Sequence, residues 1–174
     1  MNKIVLKYLI LIGILTGSLS ASSQCEILHR ISPDGSMMYY IEPVNFYWTK
    51  NKSLKGGVET DKENYYLELQ PSPFPEKPLG NKLKDEAEIV LSNDSTYRLE
   101  HFDIRYLNND SVMQLLYLID GENLKAFLTF EAISVKINMK GDEGIRTYVF
   151  KLHKDALREQ LNCFLQEQNY KKDK

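Results

Sequence analysis

Between residues 25 and 152 the apolar residues come in short runs that alternate with polar ones and stop at Asn, Asp, Gly or Pro. A period of two sends one set of side chains to a core and the other set away from it, the pattern of antiparallel strands. Ala87, Ile89 and Leu91 share one face, and Asn93-Asp94 follow as a tight turn of residues that tolerate left-handed φ. The returning strand, 97–107, changes phase partway: Tyr97 and Leu99 have one parity, and Phe102, Ile104 and Tyr106 the other. A one-residue slip reverses a strand's faces, so a β-bulge is expected near Glu100–His101. After the turn Asn108-Asn109-Asp110, residues 112–119 are apolar on both parities, as in a central strand covered on two sides.

Ile133, Val135, Ile137 and Met139 alternate with polar residues, and Ile145, Thr147 and Val149 alternate against Arg146, Tyr148 and Phe150 across Gly141-Asp142-Glu143-Gly144. This is a hairpin. Tyr65, Leu67 and Leu69 point one way, and Tyr66, Glu68 and Gln70 the other. Weaker strands are expected at 25–31, 36–42 and 44–50, with Phe46 and Trp48 inward and Tyr47 on the opposite side. Pro33-Asp34-Gly35 is read as a turn, 51–57 with its Gly56-Gly57 as a loop, and 71–78 with four prolines as an extended surface loop.

Two helices complete the pattern. Asp120 caps a short one over 122–131, with Leu124, Phe127 and Leu128 on one stripe. A longer one covers about 153–168, with Leu157, Leu161, Phe164 and Leu165 as its stripe and Ala156 and Cys163 beside it. The expected fold is mainly β (α+β): an antiparallel β-sandwich or curved meander sheet, with one short helix and a C-terminal helix packed on it.

The first residues read differently. Lys3 and Lys7 precede an apolar segment over 8–15, and 16–24 are small and polar. This is the layout of a secretory signal, and the apolar stretch falls short of the ~20 residues that span a bilayer. Cleavage is placed after Ser23, with Ser20 and then Ser18 as alternatives. Residues 24–170 then form a single β-rich domain, 171–174 are a basic tail, and the protein is periplasmic or extracellular. Loss of Lys3 and Lys7 takes the net charge from −2 to −4. Nothing in that balance suggests a nucleic-acid partner or docking on an anionic membrane.

An oxidising compartment permits a disulfide between Cys25 and Cys163, the two cysteines of the chain. Alternatively, Cys25 carries a lipid anchor next to the cleavage point, or Cys163 is a small buried apolar residue and Cys25 a loose terminus.

No signature of catalysis, of nucleotide or other cofactor binding, or of a metal site is present. His101, Asp103 and Arg105 share a parity on one strand. Asp103 orienting His101 would make a general base, and the competing reading is a row of paired charges on a solvent face. Aromatic residues crowd 39–66, and an exposed face among them would suit a partner. Tyr47, and Phe74 in the proline-rich loop, are the candidate partner contacts. The expected role is a non-catalytic binding or assembly module for a protein or a surface glycan. The alternative is a small envelope hydrolase using Asp103 with His101.

Overall fold

A computed structural model describes residues 25–32, 35–141 and 144–172. Residues 1–24, where a secretory leader is expected, Pro33-Asp34 of the expected first turn, Asp142-Glu143 of the hairpin loop and residues 173–174 of the expected tail lie outside the described residues. In chain order the strands are β1 (Leu28–Ile31), β2 (Met37–Tyr40), β3 (Val44–Trp48), β4 (Ser53–Thr60), β5 (Tyr65–Ser72), β6 (Ala87–Leu91), β7 (Thr96–Leu99), β8 (His101–Leu107), β9 (Val112–Ile119), β10 (Ala132–Asn138) and β11 (Ile145–Val149). The helices are α1 (Lys77–Gly80), α2 (Gly121–Thr129) and α3 (Ala156–Lys172).

The strands make two antiparallel sheets, giving a β-rich α+β fold. The larger has the order β1-β2-β4-β5-β9-β8, with β3 also on β4, and the smaller has the order β11-β10-β6-β7. Leu54, Val58, Leu67, Leu69, Leu115 and Tyr117 of the larger sheet pack against Ala87, Ile89, Leu91, Val135, Ile137 and Tyr148 of the smaller. The period-two runs 87–91 and 135–139 thus place their apolar face where the alternation puts it. Along 145–150 the inward set is Arg146, Tyr148 and Phe150, the last just beyond β11, while Ile145 and Val149 are exposed.

The chain changes sheet at Glu100: β7 belongs to the smaller sheet and β8 to the larger. The ladder between β8 and β9 shifts register between His101 and Asp103. The phase change in the sequence is therefore both a bulge and a corner. A second bulge, between Asn45 and Tyr47, corrects the expectation for β3. Phe46 is buried and stacks on Phe150 at 4.3 Å. Beyond the extra residue the parity reverses, so Trp48 is 68% exposed and Tyr47 turns in against Tyr148.

The supposed loop at 51–57 is mostly strand. Gly56 pairs with Leu69 and Val44, and a Cβ there would lie 2.6 Å from the Phe46 ring and 2.7 Å from the Glu68 carbonyl oxygen. Its glycine serves close packing within a strand. The reversal comes earlier, where Thr49 N–H donates to the Lys52 carbonyl at 2.8 Å. Pro71 also lies in a strand, opposite Leu54. The pairing of β5 with β9 ends at Leu69–Leu115, so Pro71 has a neighbour on one side only and its missing N–H leaves no ladder bond unmade. The rest of the proline-rich stretch includes the single turn α1, with Pro78 in its first turn.

Asp120 caps α2 as expected, its carboxylate accepting from the backbone N–H groups of Glu122 and Asn123. Helix α3 buries Leu157, Leu161 and Phe164. The Gln160 side-chain oxygen accepts the Val58 N–H at 2.7 Å. That group lies where the outer edge of β4 passes from β2 to β3 and has no strand partner. Cys163 forms a disulfide with Cys25 across a sequence separation of 138 residues.

Closing a loop of that length stabilises a fold by about 4–5 kcal/mol in the chain-entropy model. Reduction, or Cys163→Ala, is expected to lower the melting temperature by about 10–20 °C. Circular dichroism melts with and without reductant check this. An unchanged melting point in a protein whose intact mass shows both thiols blocked before reduction would contradict it.

Candidate functional site

The second face of the larger sheet is partly buried as well: beside a small apolar cluster of Met38, Tyr66 and Leu116 it carries a polar centre. Glu59 on β4 is 0% exposed. Arg30 of β1 forms an ion pair with its Oε1, and Arg105 of β8 donates to its Oε2 at 3.2 Å. Gln114 of β9 donates to Oε1 at 3.0 Å and accepts from Arg30 at 3.0 Å. A buried carboxylate is costly unless paired and hydrogen-bonded, and here it has both.

These contacts fix the shape of the sheet. Strands lie ~4.8 Å apart, so β8, three steps from β4, would be about 14 Å away on a flat sheet. Strand side chains stand roughly perpendicular to their sheet, so an arginine and a glutamate on a flat one would not meet across that distance. The sheet therefore curls toward this face into a half-barrel. Its two terminal strands, β1 and β8, approach each other without a backbone ladder between them among the described residues. Between them lies a cavity of about 730 Å³, lined by Arg30, Ile31 and Ser32 on one side and residues 102–107 on the other, with Lys77 near one end. A second cavity, about 450 Å³, continues along the same face past Arg30 and Leu107 to Tyr40, Lys55, Glu68 and Gln70. Such volumes fall within the range of ligand pockets.

Glu68 is fully buried beside this trough. The Gln70 amide donates to its Oε1, and its Oε2 has no hydrogen-bond partner. Burial pushes its carboxyl above the usual range, while the amides of Gln114 and Gln70 and the charges of Arg30 and Arg105 pull it partway back. On the same face Tyr66 donates to Asp61 Oδ2 at 2.9 Å, and burial with that bond pushes its hydroxyl up to about 12.

The residues singled out in the sequence fall around this feature unevenly. Asp103 and Arg105 line the cavity. Asp103 Oδ1 accepts from the Ile104 N–H at 2.8 Å, and Oδ2 accepts from Arg105 Nε at 3.0 Å. His101 lies across the bulge, edge-on to Tyr117 at 5.9 Å, with its Nε2 buried and unpartnered, and burial lowers its pKa. Neither Asp103 oxygen is bonded to His101. Tyr47 is half-buried against Tyr148, with the Lys151 ammonium over its ring at 5.3 Å. Phe74 is half-buried against Tyr106, at 6.4 Å. Both lie away from Glu59, and Phe74 holds its loop to the core. Arg30, Glu59, Glu68 and Gln114 had not been picked out. Gln114 alone carried a signal: a polar residue in a run apolar on both parities needs a buried partner. Among the described residues no cluster of three or more His, Cys, Asp or Glu is placed to hold a metal ion.

Comparison of the chain with protein-family models, with curated proteins and with solved structures finds no match.

Removing the central carboxylate would leave two arginines facing each other in a buried site. Glu59→Ala is expected to cost about 3–5 kcal/mol in urea denaturation. The combination Glu59→Ala, Arg30→Met, Arg105→Met is expected to regain much of it. A single variant within ~0.5 kcal/mol of wild type would show that Glu59 does not hold the curl.

The raised Glu68 pKa sets a sign for pH dependence. The folded protein holds this proton more tightly than the unfolded chain. Its contribution is complete below the ordinary value of 4.5 and is lost as the pH rises through the folded value. Glu68→Gln should therefore be more stable than wild type at neutral pH, with the advantage shrinking as the pH falls through the raised folded value and gone below pH 4.5. Urea midpoints measured across that range check the sign, and a constant difference between the two proteins would refute it.

Proposed function

We propose that this protein is an exported, non-catalytic binding module that holds part of a protein or a surface glycan in the cleft between β1 and β8. The observation that carries this reading is the incomplete closure of the half-barrel. Two strand edges converge on one buried carboxylate, yet among the described residues their outer edges carry no ladder around a 730 Å³ cavity. An unpaired edge is a template for pairing, and soluble domains usually blunt or cover it. Here Ile31 is 70% and Phe102 52% exposed on its two lips. Export is supported by the leader pattern and by the disulfide, which belongs to oxidising compartments. Among the described residues no helix is long and apolar enough to cross a membrane. The disulfide also gives Cys25 a structural task in place of a lipid anchor.

The hydrolase reading has less support. A general base must reach a proton, with an orienting partner behind it, and Asp103 is bonded to Arg105 while His101 turns to Tyr117.

A photo-crosslinking amino acid placed at Phe102 should form an adduct with a component of the native cell envelope or medium. The same group at Ile145, on the outer face of the smaller sheet, should not. Equal adducts from both positions, or none from Phe102, would count against the cleft as the binding site.

A further inference from the structure

The cleft's lining narrows its occupant, on the reading that it is a binding site. Six consecutive residues of β8, 102–107, line the cavity. It therefore runs along the strand edge for about 20 Å, at ~3.4 Å per residue. A rounded pocket would be lined by alternate residues from several strands. A channel along an unpaired edge accepts an extended chain, whose main-chain groups complete the ladder and whose side chains fall alternately to floor and lips.

The floor is rich in hydrogen-bond donors. Ser32 is 6% exposed, and its hydroxyl, at the cavity wall, has no partner. Arg30 Nε–H is buried without a partner as well, because its pairing with Glu59 and Gln114 uses Nη2. Around these two donors, among the described residues, Arg30, Arg105 and Lys77 are already paired with Glu59, Asp103 and Asp110, and no acceptor is left for the Arg30 Nε–H or the Ser32 hydroxyl. A buried donor left unmade is costly, and two of them on one cavity wall suit an acceptor such as a carboxylate. The lips, by contrast, are the apolar side chains of Ile31 and Phe102.

We infer that the cleft takes an extended peptide segment of about six residues that adds a strand to the β8 edge, with an acidic side chain seated on Arg30 Nε and Ser32 Oγ and alternate apolar side chains on Ile31 and Phe102. Its backbone supplies most of the ladder, and the carboxylate sets register. A cationic side chain is disfavoured because it offers these two donors no acceptor.

Two fluorescent peptides test this, one alternating Val with Glu and one alternating Val with Lys, titrated into the full-length exported protein by fluorescence polarisation. The Glu peptide should bind at least tenfold more tightly than the Lys peptide. It should slow amide hydrogen exchange at 102–107 and lose about tenfold in affinity in Ser32→Ala, a change small enough to leave the fold intact, and in Arg30→Gln. Equal binding of the two peptides, binding indifferent to both variants, or no binding of either at about 1 mM overturns the inference. If the peptides fail while the Phe102 crosslink still forms, for example to a glycan, the cleft remains the binding site and only the peptide assignment falls. If both fail, the binding reading falls with it.

Discussion

A carboxylate with no exposure to water, shared by arginines from opposite edges of one sheet, is the constraint on which the rest of the architecture turns. Glu59 cannot keep its charge in the interior without partners, and neither β1 nor β8 can supply one unless the sheet bends. Curvature is thus the condition under which the charge is tolerated. The same geometry explains why closure stops short. The two edges are joined through long side chains to a common centre, not through a backbone ladder, and the space those side chains span becomes the cleft.

The opposite face of the sheet is held by different means. There the core is apolar, built from the inward sets of both sheets, and α3 covers one flank. That helix also completes the β4 edge, since the Gln160 side chain accepts the backbone N–H left over where the chain breaks at Pro43. The bond to Cys25 fixes the entry of β1 to the same helix. Arg30, five residues after Cys25, is placed on the cleft floor by a strand anchored just upstream. The covalent staple and the ionic centre are therefore linked through one short stretch of chain.

Several elements were legible because their signals are local. The hairpin of β10 and β11, the Asp120 cap, the strand Ala87–Leu91 and the break near Glu100 each rest on residues a few positions apart. Misreadings came where a local signal had a non-local cause. Gly56-Gly57 resembles a turn, yet its glycine is demanded by the Phe46 ring packed against the strand. Pro71 looks like a strand terminator, but it sits where β5 has lost one neighbour. Trp48 has the parity of Phe46, and a bulge between them sends it outward. Glu68 and Gln70 occupy the polar parity of an alternating strand, which on an ordinary sheet would face water. Here that parity lines the inside of the curl.

By itself the sequence determined the strand-rich class, the turns at Asn93-Asp94 and Asn108–Asp110, both main helices and the two cysteines available for a bridge, because periodicity, capping and φ preference act over a few residues. Which polar residues would be buried together was decided only by tertiary structure. Arg30, Arg105 and Gln114 stand 29, 46 and 55 positions from Glu59. Their meeting depends on strand order, register and curvature, none of which leaves a trace in the neighbourhood of any one of them. The cleft inherits that origin: its walls are set by where a bent sheet runs out of strands.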